Sequence, residues 1–287
     1  MSLDFPADTV GYFIVGFIDL LGIRDSLSFS HSSSNEDQAK QILRAARRVT
    51  TFRDDFIRFQ EGMQKIQDRH DQLCPKPLRE WREIHKGNPV KVFSFSDTIV
   101  IYAPLTIQSN RLVPVESCWT ILAACAASQL FALVRKSPIR GSIEIGFATE
   151  IGEREIFGPA VVEALRLENE IAAWPRIVVG QNLCRYIGNI ASGRTHSDSD
   201  QINQAFAKRC ESLLSCDVLG TASLNLLSSD LAELVPNLDM QNNYQAYVKR
   251  AYQFAIDESM RFISENNLKL SDRYKHLANS LDQTSKS

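Results

Sequence analysis

Residues 11–23 read GYFIVGFIDLLGI and residues 90–104 read VKVFSFSDTIVIYAP. Both are apolar, β-prone runs of strand length, so the chain has to build a sheet with buried central strands. Each run also carries one carboxylate, Asp19 in the first and Asp97 in the second. Burying an acid is costly unless it is paired or holds a cation. Either acid alone reads as a strand-end residue satisfied by backbone N–H groups, whereas two of them in neighbouring strands point to a cation site.

The rest of the chain supplies helices around those strands. A polar segment at 31–38 offers Ser34, Asn35 and Asp37 as caps, and residues 39–70 then carry Ile42, Leu43, Ala46, Val49, Phe52, Phe56, Phe59 and Met63 at helical spacing. The charged residues of that helix, Arg44 to Arg58 with Asp54 and Asp55, mix signs and read as a solvated face. Two prolines and a Gly-Asn-Pro breaker make 74–89 a surface excursion, and the small polar residues before Asp97 suggest a hairpin bend within 90–102.

Residues 119–137 form a very apolar helix and 139–152 a strand of alternating type. A helix follows Gly158-Pro159 and runs to the Trp174-Pro175 stop, and 176–180 is a short buried strand. Residues 191–200 read as a polar loop, 217–227 as a last hairpin strand, and 242–266 as an amphipathic helix whose tyrosines serve packing or a dimer contact. A helical tail follows, with a disordered end at 282–287. The pattern predicts an α+β sandwich, a mostly antiparallel sheet with helices on one face and a C-terminal helical extension. The expected division is a core over 1–190 and, over 191–287, a core-completing strand with the C-terminal helical region.

Composition excludes several functions. With 32 basic and 34 acidic residues and a net charge of −2, there is no basic field to hold a nucleic-acid polymer. The apolar stretches near 12–23 and 120–134 read as too short or too interrupted to cross a bilayer, and the N-terminus lacks a basic leader, so the expectation is a cytoplasmic protein without a membrane partner. Six scattered cysteines without a CxxC pair read as reduced thiols, and the five histidines have no zinc spacing.

In order along the chain, FIDLLGI, FSFSDTIVIY, IRGSIEIG and IFGPAVVEALRLE resemble the catalytic domain of class III nucleotide cyclases over roughly residues 10–180. That family has an acid-bearing first strand, a hairpin with a second acid, an Arg-x-Gly-type strand and a Gly-x-x-Val-Asn-x-Ala-x-Arg helix. The resemblance implies that Asp19 and Asp97 hold two divalent ions, Mn²⁺ or Mg²⁺, with the backbone carbonyl of Leu20 as a further ligand. Hard oxygen donors suit those ions, which lower the pKa of a 3′-hydroxyl and neutralise a triphosphate. It also implies a homodimer with composite sites, the acids from one subunit and an arginine, here Arg166, from the other.

Arg140 heads the later strand, and two roles stay open for it, meeting phosphate or supporting the sheet. The motif's ribose-orienting asparagine is replaced by Val162. Phe93 stands where purine cyclases place the lysine or glutamate that reads the base, and Glu155 stands where adenylate cyclases use an aspartate. A phenyl ring cannot make the hydrogen bond that discriminates a purine edge. Phe17 and Phe93, like Phe13 and Phe95, read first as core; Phe13, Phe17 and Phe93 are also candidates for the wall of the nucleotide pocket.

The flavour of these motifs is similar to the Pycsar cyclases, bacterial antiphage enzymes that make cyclic UMP or cyclic CMP for a separate effector. The expectation is therefore a uridylate cyclase acting on UTP, with a cytidylate cyclase as the alternative. A degenerate cyclase fold that only binds a nucleotide is a second possibility, favoured by Val162. A diguanylate cyclase ranks last because the turn reads FSFSD rather than GGDEF.

Overall fold

The computed structural model describes residues 10–23, 27, 34–73, 90–105, 115–152, 155–195, 198–217, 219–238 and 243–282. The expected excursion at 74–89 lies outside the described residues, as does nearly all of the expected disordered end.

The strand-length runs form the sheet. Strands β1 (Val10–Leu20), β2 (Lys91–Phe95), β3 (Thr98–Pro104), β4 (Ile139–Ile151), β6 (Ile177–Val179), β7 (Leu214–Cys216) and β8 (Ala222–Leu224) are ordered β2-β3-β1-β4-β6-β8-β7, and β5 (Glu155–Phe157) pairs with β4. Every pairing is antiparallel except β4 with β6. The architecture is α+β around a mostly antiparallel sheet, as the patterning predicts.

Strand alternation divides β1 between two cores. Ile14, Ile18 and Leu20 enter a large cluster with Ile99, Ile101 and the helices of one layer. Phe13 and Val15 enter a small cluster with Val100, Tyr102, Ile156, Ala160 and Ala164 on the opposite face. The large layer contains α1 (Asn35–Leu73), α2 (Val115–Val134), α4 (Gln181–Ala191), α5 (Asp198–Ser212), α6 (Ser229–Leu238), α7 (Tyr244–Ser264) and α8 (Leu268–Leu281). The opposite face holds α3 (Pro159–Glu170). The expectation of helices on one face is thus corrected: Ala160 and Ala164, one helical turn apart, let α3 lie close against β4.

Helix boundaries follow their caps. The Ser34 Oγ accepts from the Asp37 backbone N–H at 3.1 Å, and the Asn243 side chain accepts from Gln245 N–H at 2.9 Å. α3 begins at Gly158, whose φ of 143° suits glycine, and a Cβ there would sit 2.8 Å from Ala148 Cα. The helix ends at Glu170, short of the Trp174-Pro175 stop. Residues 198–212 form a helix that intrudes on the expected polar loop, because Phe206, Ala207 and Cys210 find apolar partners that a local pattern does not show.

α2 is a 20-residue helix long and apolar enough to cross a membrane, contrary to the length argument above, and 94% of its apolar window is buried within the molecule. It packs at the centre of the helical layer against α1, α5 and α7. Asp55 is also not on a solvated face. It is 9% exposed and pairs with Arg58 and with Arg135 at the end of α2. Ile42 and Leu43, expected in the core, are exposed on the first turns of α1. The five described cysteines are free thiols.

Candidate active site

The two acids meet at one end of the sheet. Asp19 is the penultimate residue of β1, with Thr98 of β3 on one side and Arg140 of β4 on the other in register. Asp97 lies in the two-residue turn between β2 and β3, which Ser96 enters with a φ of 55°. The Leu20 N–H donates to the Asp97 carbonyl at 3.2 Å, so the backbone ties the two acid-bearing segments together.

Alternation sends the Asp19 side chain to the α3 face, with Phe13, Val15 and Phe17. There the Thr98 hydroxyl donates to Asp19 Oδ1 at 3.2 Å, and Arg140 Nη2 lies 4.0 Å from Oδ2. The Arg140 Nε is committed elsewhere, 2.5 Å from Glu168 Oε1. Asp19 therefore holds its charge with one hydroxyl and a distant guanidinium. Burial, then the neighbouring Asp97, then Glu168 push its carboxyl up from 3.8 to about 6, against the smaller opposing pull of Thr98 and Arg140.

Glu168 was not legible as a site residue. It is 3% exposed on the inward stripe of α3, one turn beyond Ala164. The signal available was its i, i+4, i+8 spacing from Ala160 and Ala164, which puts an acid where the pattern calls for a small apolar side chain.

Phe17 and Phe93 share the Asp19 face, both in register with Val100, one row in from Asp19. Both are half-buried against the small cluster, and Phe93 meets Tyr102 edge-on at 6.4 Å. One chain thus brings together Asp19, Leu20, Asp97, Arg140, Phe17 and Phe93. It does not bring in Glu155 or Arg166. Glu155 is exposed and pairs with Ile151 at the far end of β4 from Arg140. Arg166 lies on the outer face of α3, where Glu163 accepts at 2.7 Å and Glu170 at 2.8 Å.

The donor set fits a divalent cation. Two carboxylates and a carbonyl are hard oxygen ligands, and the crowding of Asp19 by Asp97 and Glu168 is the excess negative charge that such an ion neutralises. Among the described residues no group of three or more histidine, cysteine, aspartate or glutamate side chains is placed to hold a metal ion. Mg²⁺ is commonly held by one or two carboxylates with substrate phosphates completing its shell, so two acids suffice.

No protein-family model matches this sequence, and neither does any curated protein. Among solved structures, the chain is similar to a class III adenylyl cyclase-like ATP-binding protein from Pseudomonas aeruginosa. The TM-score is 0.41 and the identity 13%, over 86% of this chain and 44% of that one. It is also similar to a bacterial light-regulated adenylyl cyclase, with TM-score 0.38 and 12% identity over 84% of this chain and 57% of that one. The chain spans about half the length of these neighbours.

Proposed function

We propose that this chain is a metal-dependent pyrimidine nucleotide cyclase that converts UTP to 3′,5′-cyclic UMP and pyrophosphate, a second messenger for a separate effector in bacterial antiphage defence of the Pycsar type. The observation that carries the reading is Asp19, an under-satisfied, charge-crowded carboxylate beside Asp97 at a sheet end. The 3′-hydroxyl oxygen would form a bond to the α-phosphorus as the bond to the bridging oxygen breaks. The hydroxyl proton leaves to solvent, and pyrophosphate departs with the electron pair.

Asp19, Asp97 and the Leu20 carbonyl are the groups that would hold Mn²⁺ or Mg²⁺. Bound there, the ions would acidify the hydroxyl and offset triphosphate charge. Phe17 and Phe93 wall the adjacent row, and Phe93 offers no polar atom to a purine edge, which favours the smaller base. Arg140 is held by Glu168, with Asp19 4.0 Å away, which supports a structural role with phosphate contact as a second possibility.

Arg166 reaches an acid pair only from a second copy, where its guanidinium would stabilise charge on the transferring phosphoryl group. A homodimer is supported by apolar surface at the far end of the sheet, where Val10, Tyr12, Phe147 and Phe157 are 44–65% exposed and the Tyr12 and Phe147 rings lie 4.3 Å apart. Glu155 lies at that same end.

Incubating the protein with each nucleoside triphosphate and Mn²⁺, and resolving products by mass, tests the reading. Cyclic UMP with pyrophosphate is expected, cyclic CMP would transfer the specificity to cytidine, and no cyclic product from any nucleotide sinks it. The second reading, a nucleotide-binding module without turnover, draws on Val162, which is 65% exposed where the family orients ribose. Calorimetric nucleotide binding without product would favour it.

A further inference from the structure

A pocket of about 680 Å³ opens beside the acid end of the sheet, between the turn after β1, the start of β4 and the α7–α8 hairpin. That size suits a small-molecule ligand. Its walls hold five cations against two carboxylates, an excess of three. The carboxylates, Glu258 and Glu265, are both taken by Arg261, at 2.6 Å and 2.8 Å. Arg140 is taken by Glu168.

Three cations are left over. Arg48 is half-buried and, among the described residues, donates to a neutral acceptor, the Leu21 carbonyl, at 3.0 Å. Arg273 is half-buried, and among the described residues no carboxylate pairs with it. Lys136 stands at the rim with a φ of 57° and likewise lacks a described partner. Holding guanidinium groups partly out of water without a counter-charge is unfavourable, and a bound anion removes that penalty. Trp174 and Phe262 supply aromatic wall to the same pocket.

We propose that this pocket binds a phosphorylated ligand of nucleotide size, with its phosphates on Arg48, Lys136 and Arg273 and its ring against the Trp174–Phe262 side. The pocket borders the acid pair through Arg140, and its proposed phosphate contacts need no divalent ion. It stands whether or not the chain turns over UTP.

The test is titration calorimetry in EDTA with inorganic pyrophosphate and with ADP, on the full chain. Saturable binding of both is expected, with ADP the tighter. Arg273→Gln and Lys136→Gln should each weaken it at least tenfold without lowering the thermal midpoint, while Asp97→Asn leaves binding in this pocket unchanged. No binding in EDTA, or binding that Asp97→Asn removes and Arg273→Gln does not, overturns the site. ADP binding no tighter than pyrophosphate overturns the aromatic half of the assignment. Because the acid pair is silent in EDTA, failure here and failure of cyclisation are read from different experiments.

Discussion

Asp19 and Glu144 are two acids on the same face of the same sheet, in neighbouring strands, and the protein treats them in opposite ways. Glu144 is 2% exposed, and its carboxylate accepts from three backbone N–H groups: Ile145 at 2.8 Å, Leu183 at 2.8 Å and Asn182 at 3.3 Å. The last two belong to the first turn of α4, so Glu144 caps that helix from the sheet. A Cβ on Gly180 would lie 2.2 Å from Glu144 Oε2, so a glycine is what lets the helix start come this close. Burial pushes its carboxyl up, and the three N–H groups pull it back.

Asp19 has one hydroxyl and a guanidinium at 4.0 Å, and two further acids add to the burial penalty. Glu144 is satisfied by the fold, whereas Asp19 is left short of partners. That difference separates an acid that holds structure from one that stands ready for a cation.

The contrast can be broken by substitution. Asp19→Ala and Asp97→Ala should each lower cyclase turnover at least a thousandfold, roughly 4 kcal/mol of transition-state stabilisation, while the thermal midpoint holds or rises. Glu144→Gln should leave turnover within a few-fold.

Next in size is the ion pair beside Asp19 that joins β4 to α3. Arg140→Met leaves Glu168 buried and unpaired and should cost about 3–5 kcal/mol in urea unfolding, and adding Glu168→Leu should restore most of it. An unchanged midpoint for Arg140→Met would mean that the pair does not support the sheet. Glu144→Ala orphans N–H groups at the start of α4 and should cost roughly 2–3 kcal/mol in the same assay.

The smallest effect carries the sign of the contrast. The folded chain binds the Asp19 proton more tightly than the unfolded chain, with a carboxyl near 6 rather than 3.8. Between those pH values the folded state holds more protons, so stability falls as pH rises through the window and levels off above it. In EDTA at pH 7, Asp19→Asn should therefore be more stable than the parent by about 1–2 kcal/mol, with the gain gone below roughly pH 4. A loss at pH 7 would show that Asp19 is satisfied after all.

The strand pattern made much of this legible. Asp19 and Asp97 stood out because an acid inside an apolar run conflicts with local propensity, and such conflicts gather at functional sites. Glu144 was visible only as one of the polar residues alternating along 139–152, since its partners come from α4, remote in sequence. Glu168 was hidden for a related reason: α3 lies on the face that the pattern left bare, and only tertiary packing shows that its inner stripe ends on a buried acid. Arg166 and Glu155 were found through motif spacing. Within one chain they stay away from the acid pair, because α3 turns Arg166 outward and β5 carries Glu155 to the other end of β4.

The most direct measurement compares the parent chain, Asp19→Asn and Glu144→Gln, incubated with UTP and Mn²⁺, with cyclic UMP and pyrophosphate quantified by mass. Product is expected from the parent and from Glu144→Gln and none from Asp19→Asn. Product from Asp19→Asn at the parent rate, or none from a folded parent chain with any nucleoside triphosphate, would contradict the cyclase reading.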